Sequence, residues 1–260
     1  WYDRRLKGLD NGVDDEPPIR IFVMGENVWR QESEWPLARA VSTRYYLRSR
    51  GKANTLDGDG SLSHEPPGDE PPDVYSYDPD EPVPTLGGQA LAAPLIDSGP
   101  RDRTPVERRD DVLVYTTEPL AADLEVTGPI RMTLYAASSA PDTDFTATLV
   151  DVHPRGMAII ICEGIARARF RDSLTAPSLI EPGTAYEFHI DLWETSNVFK
   201  AGHQIRLEVS SSNFPRFDRN LNAGHLPGMD AEMRVADQTV YHDARRPSHL
   251  TLPVIPDERG

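Results

Sequence analysis

Cysteine is almost absent. Of 260 residues only Cys162 carries a thiol, so no disulfide can form within the chain and no cysteine-based zinc site can be built. Basic charge is also short: 27 Lys and Arg face 42 Asp and Glu, a formal net charge of −15. That balance excludes a nucleic-acid binder, which must offer cations to phosphates. Lysine is the scarcer cation, with only Lys7, Lys52 and Lys200. No apolar run approaches the roughly 20 residues of a membrane-spanning helix. A reducing compartment is compatible with one thiol, and a cytoplasmic location is the expectation. The chain opens at Trp1, without an initiator Met or a leader-like segment, which reads as a fragment or a processed product.

The charge deficit is local. Residues 53–100 contain no Lys or Arg, yet hold ten acids (Asp57, Asp59, Glu65, Asp69, Glu70, Asp73, Asp78, Asp80, Glu81 and Asp97) and nine of the 24 prolines. The stretch HEPPGDEPPDVYSYDPDEPVP (64–84) cannot be helix or a central strand, because each Pro lacks an N–H donor and restricts its predecessor. It is expected to be a long, solvated surface excursion. Alternate carboxylates such as Asp57 and Asp59, or Asp78 and Asp80, suit a hard cation, but no complete EF-hand loop is present.

What remains reads as β-structure after a helical start. In WYDRRLKG (1–8), Tyr2 and Leu6 share a helix face and Gly8 is a natural left-handed cap. Eleven short strands are expected at 19–24, 44–48, 112–117, 130–136, 145–152, 157–162, 165–171, 186–192, 204–210, 238–242 and 249–254. In QIRLEVS (204–210), Ile205, Leu207 and Val209 point one way and Arg206, Glu208 and Ser210 the other. In IARARFR (165–171), Arg167, Arg169 and Arg171 form the outward set. Many short strands separated by turn residues argue for an all-β antiparallel sandwich or barrel.

Catalytic patterns are missing. No G-x-S-x-G nucleophile elbow occurs. Ser196, His203 and Asp191 are close in sequence, but nothing marks this Ser as activated. No two of the seven histidines are spaced as H-x-H or H-x-x-x-H, so no metal is expected. His189 and His203 read as structural hydrogen-bonders, and Cys162 as a small buried hydrophobe. In the PDTD turn (141–144), Asp142 and Asp144 are expected to satisfy backbone N–H groups. In NFPRFDRN (213–220), Arg216, Asp218 and Arg219 are expected to form an ion-pair network pinning the loop. Trp29, Trp35 and Trp193 are candidate sugar-stacking residues for a stand-alone carbohydrate-binding module, although Trp193 is expected in the core.

Several segments resemble a known family: DDVLVYTTEPL (110–120), EVTGPI (125–130), SSAPDTDFTATLVDVHPRG (138–156), GIARARFRDSL (164–174), DLWETSNVFKAGHQIRLEVSSSNFPRFDRN (191–220) and QTVYHDARRPSHLTLPVIP (238–256). They are similar to the C-terminal domain of the X-prolyl dipeptidyl peptidase and cocaine esterase class of bacterial serine hydrolases. That class also includes α-amino-acid ester hydrolases and glutaryl acylases. The resemblance implies a jelly-roll sandwich of the galactose-binding type over residues 17–260, with 1–16 left from the closing helix of a preceding α/β-hydrolase domain. It implies that the catalytic Ser, Asp and His, with the oxyanion-hole donors, lie upstream, so this chain is expected to hold no catalytic residue and no cofactor. The hydrolase domain of the same protein is the expected partner, and a homo-oligomer is possible, with no nucleic acid and no membrane. The candidate substrate-pocket wall is PTLGGQAL (84–91). There Leu86 and Leu91 offer apolar contact, and Gly87 and Gly88 allow close backbone approach to another surface.

Overall fold

The computed structural model describes residues 1–90, 97–229 and 231–256. The chain begins with α1 (Tyr2–Lys7), capped by Gly8 at φ 70° as its sequence predicts. Then follow β1 (Ile19–Val23), β2 (Val28–Glu32), β3 (Val41–Arg48), β4 (Ser61–Ser63) and β5 (Asp73–Tyr77). A short α2 (Thr104–Glu107) precedes β6 (Leu113–Thr116), β7 (Leu124–Ser138), β8 (Asp144–Val152) and β9 (Ala158–Arg167). The last strands are β10 (Tyr186–Phe199), β11 (Gln204–Ser210), β12 (Ala236–Asp243), β13 (Arg246–Pro247) and β14 (His249–Ile255). The fold is all-β, as expected, and among the described residues no closed barrel forms.

β1 and β2 make a separate hairpin, tied to β10 by Met24 N–H donating to Ser196 O at 2.9 Å and Val198 N–H to Met24 O at 2.8 Å. The other twelve strands form one sheet that folds over itself. In one half, β10 pairs along the whole length of β7, while β14 and β12 share the other edge of β7. In the other half β6, β11, β8 and β9 are antiparallel neighbours. The link is slight: β4 joins β6 through one parallel pair, Ser61 with Thr116. The inner faces share one apolar core, in which Met132 and Leu134 of β7, Ile190 of β10 and Leu250 of β14 meet Leu149 of β8 and Leu207 of β11. Phe145 and Phe188 close it from opposite halves, with ring centroids 4.9 Å apart. Cys162 lies in this core, and burial pushes its thiol pKa up, away from reactivity.

One irregularity has a visible cause. β7 runs from Leu124 rather than 130, so it contains Gly128 and Pro129 mid-strand. Pro129 has no N–H for the ladder. Register shifts face it on both sides, between Asp191 and Glu194 of β10 and between Thr251 and Val254 of β14. Trp193 is the bulged residue, at φ 67°, and the bulge turns its ring out to 56% exposure. The expectation that Trp193 packs in the core is therefore wrong.

Two further expectations fail here. The strands expected at 157–162 and 165–171 are one continuous β9 that ends at Arg167, and Ala168–Phe170 is a 3-10 turn. Arg169 consequently points inward and is buried against Asp142. The acidic excursion is not a solvated loop either. It contains β4 and β5, and β5 is an edge strand on β12 with Asp73, Tyr75 and Tyr77 buried. Pro72 stands just before β5 and Pro79 just after it, so the prolines flank the ladder instead of interrupting it. The missing cations are supplied from outside the stretch: Glu70 pairs with Arg48, Asp97 with Arg101 and Asp80 with Arg219.

Candidate functional site

The segment 84–90 lies against β9 and β6, and Arg103 links it to Glu208 of β11. Pro84 bridges to Phe214, and Thr85 N–H donates to Phe214 O at 2.7 Å. Leu86 packs on Val83, Val106, Val112 and Val114. Gly87 and Gly88 are both left-handed, at φ 78° and 82°. A Cβ on Gly87 would meet Gly99 O and Ile160 at 2.8 Å, and one on Gly88 would strike Glu163. The close approach that these glycines permit is thus made to this chain's own sheet. Leu91 lies outside the described residues.

Beneath the segment is a layer of buried charge. Arg103 donates to Leu86 O at 3.1 Å and grips Glu208, with Nη2 to Oε2 at 2.6 Å. Arg206 donates to Glu107 Oε2 at 2.6 Å. Arg216 pairs with Glu163, which also accepts from Asn213 Nδ2 at 2.6 Å. Burial, followed by the Glu208 charge, pushes the Glu107 carboxyl up to about 7 despite Arg206. Its second oxygen has no hydrogen-bond partner, which fits a carboxyl that keeps its proton readily. Alternation in β11 was legible, but its polar face looks into this layer and not into water.

Arg216, Asp218 and Arg219 do not form a mutual network. Arg216 goes to Glu163, Asp218 to Arg167 at 3.1 Å, and Arg219 to Pro79 O at 2.6 Å. The loop is pinned instead by Asn220, whose Nδ2 donates to Asp142 Oδ2 and Asp144 Oδ1, each at 2.9 Å. Asp144 is held by Arg167 through two bonds of 2.8 and 2.9 Å, and Asp142 by Arg169. Burial nevertheless raises the Asp144 pKa. These ion pairs floor a cavity of about 310 Å³ walled by Phe214, Leu226 and Met233. Both carboxylates already have cations, so this floor offers a ligand no unpaired charge.

A Ser, a His and an Asp do meet, in a place the sequence did not mark. Ser49 Oγ, His242 Nε2 and Asp73 Oδ2 lie 2.8–3.1 Å apart, and Tyr115 OH donates to Asp73 at 2.8 Å. Ser49 and Asp73 share one nitrogen of His242, so the ring cannot accept from Ser while donating to Asp through its other side. Asp73 and His242 are fully buried. Burial alone would raise the Asp73 pKa, but His242, Ala53 N–H, Ser49 and Tyr115 outweigh it and lower it. The constellation is a structural knot that docks β5 onto β12. Ser196, His203 and Asp191 are dispersed: Ser196 Oγ bonds Thr127, His203 bonds Asp151, and Asp191 accepts from Trp193 N–H.

Of the other candidates, Trp29 is 61% exposed, but its ring is taken by Phe22 and by the Arg20 guanidinium 5.0 Å from its centroid. Asp59 accepts from Arg50 N–H, and Asp78 from Asp80 N–H. Among the described residues the one group of three His, Cys, Asp or Glu side chains with donor atoms all within 4.8 Å of one another is Asp151, His153 and His203. Among the described residues no helix is long and apolar enough to cross a membrane.

Residues 11–251 match the profile of the X-Pro dipeptidyl-peptidase C-terminal non-catalytic domain. The chain belongs to this family. It is 48% identical over 257 residues to the cocaine esterase of a Rhodococcus species, covering 98% of this chain and 45% of that protein. Among solved structures, an α-amino acid ester hydrolase superposes with a TM-score of 0.83 at 28% identity, over 97% of this chain and 43% of that one. An aminopeptidase from a Thaumarchaeota archaeon gives the same TM-score and identity, over 98% and 43%. The chain thus spans less than half the length of these relatives.

Proposed function

We propose that the chain is the non-catalytic β-domain of a serine hydrolase that cleaves acyl esters or amides. It packs on the α/β-hydrolase domain of the same protein, and segment 84–91 walls that domain's substrate pocket. The observation that carries the reading is the match of residues 11–251 to a non-catalytic domain of larger hydrolases. Two features support it. The surface exposes clustered apolar side chains, among them Trp1 beside α1, Tyr2 and Leu6 on it, and Phe22 and Met24 around β1. A pocket wall also needs a fixed backbone, and segment 84–90 rests on buried ion pairs. The chemistry belongs to the hydrolase domain, where a Ser attacks, a His takes its proton and an Asp orients the His.

The test compares the 260-residue chain with the whole enzyme on a chromogenic ester. The chain alone is expected to be inactive. If it hydrolyses the ester and substitution of one of its own serines abolishes this, the chemistry is misplaced. In the whole enzyme, Gly88→Ala is expected to raise KM more than it lowers kcat. Unchanged kinetics would remove the wall from the proposal and leave the domain assignment standing.

A further inference from the structure

Two turns meet beside the β8–β11 pair. The turn 153–156 follows β8 and is closed by Gly156 N–H donating to His153 O at 2.8 Å. Its far side is fixed by His153 N–H donating to Met157 O, also at 2.8 Å. The second turn joins β10 to β11. There His203 N–H donates to Lys200 O at 2.9 Å, and Leu120 N–H donates to His203 O at 2.8 Å. Asp151 pairs in register with Ile205, two residues beyond His203. The ladder therefore brings three side chains together that sit at 151, 153 and 203 in the sequence.

His203 Nδ1 lies 2.8 Å from Asp151 Oδ1, and His153 Nε2 lies 3.9 Å from Asp151 Oδ2. The two imidazole rings stack at 4.3 Å between centroids, tilted by 35°. One donor atom from each residue lies within 4.8 Å of the other two. We infer that Asp151, His153 and His203 form a binding site for a divalent transition-metal ion, zinc foremost.

Donor chemistry selects the ion. Two imidazole nitrogens and one carboxylate oxygen suit borderline cations such as Zn(II), whereas calcium and magnesium demand oxygen. Metal–ligand bonds of about 2.0–2.1 Å at a tetrahedral angle place neighbouring donors about 3.4 Å apart. The observed 2.8 and 3.9 Å, measured to the two oxygens of the one Asp151 carboxylate, straddle that spacing, and side-chain rotation must bring the two imidazole donors within it. Asp151 is buried and His203 half-buried, both on backbone fixed by strand pairing and turn hydrogen bonds. His153 is 36% exposed at its side chain, which leaves an entry path and a fourth position for water.

A purely structural role explains the Asp151–His203 hydrogen bond and leaves His153 with only its ring stacked on His203. At 3.9 Å its ring does not hydrogen-bond Asp151. His153 is therefore the residue on which the test turns.

The probes are Co(II), followed by its visible absorption, and Zn(II), followed by calorimetry, added to the untagged 260-residue chain. One equivalent of Co(II) is expected to bind and to be displaced by Zn(II). His153→Ala removes one of three ligands and is expected to weaken both by more than the roughly tenfold to hundredfold lost when a group that only supports a ligand is removed. Its metal-free Tm should fall only slightly, because the half-exposed side chain gives up one ring contact with His203. Saturating Zn(II) should raise the Tm of the wild type and not that of the variant. His189→Ala, at an exposed histidine elsewhere, should bind as the wild type does. No saturable binding, or full binding by the His153 variant, overturns the site.

Discussion

β11 has two faces that are equally dry and differently stabilised. Ile205, Leu207 and Val209 enter the shared apolar core, where burial itself supplies the free energy. Arg206, Glu208 and Ser210 are buried on the opposite face, where Arg206 meets Glu107 of α2, Glu208 meets Arg103, and Ser210 bonds Thr146 and Ser212 O. Charges there must first be desolvated, and ion pairing offsets that cost only while every partner is present. The apolar face should therefore lose stability gradually with lost methylenes, and the charged face abruptly when one partner of a pair is removed.

The largest expected effect comes from breaking one pair. Arg103→Ala strands Glu208 and should cost about 3–5 kcal/mol in denaturant unfolding. The double variant Arg103→Met, Glu208→Leu should recover most of that loss. A double variant as unstable as the single one would show that these charges hold the excursion in place and are not merely tolerated. On the other face, Leu207→Ala should cost about 2–5 kcal/mol, with the spread set by how far the core collapses into the cavity.

The pH dependence separates the faces next. The folded chain holds the Glu107 proton to about 7, above the ordinary 4.5, so ionising it works against folding. The Glu107 contribution to stability should fall as pH rises from about 4.5 through about 7. Glu107→Gln should flatten that part of the profile in chemical unfolding measured across the window, and an unchanged slope would assign the window to other groups. Asp73 has the opposite sign. Its pKa is lowered, so its contribution is present above the ordinary value and is lost as pH falls through its folded value. The smallest effect sharpens the same contrast on one guanidinium. Arg167 bridges buried Asp144 and exposed Asp218, and Asp218→Ala should change stability by about 1 kcal/mol or less.

The sequence by itself determined the apolar half of this protein. Alternation in β11, the apolar stretches of β7, β8 and β14, and the Gly8 cap of α1 are local properties of backbone geometry and side-chain period, and they read correctly. The family was legible as well, because long strings such as that at 191–220 carry its pattern. Only the tertiary structure decided what happens to the charge. Asp73 sits in a proline-rich acidic string, and nothing within 20 residues announces that His242 and Tyr115 will bury it. Arg169 alternates like an outward residue, and a strand that stops at Arg167 turns it inward onto Asp142. Asp151, His153 and His203 have no metal-binding spacing along the chain, because the β8–β11 register assembles them. A charged side chain looks the same in sequence whether water or a distant partner satisfies it, and which of the two it meets is settled only when the sheet closes.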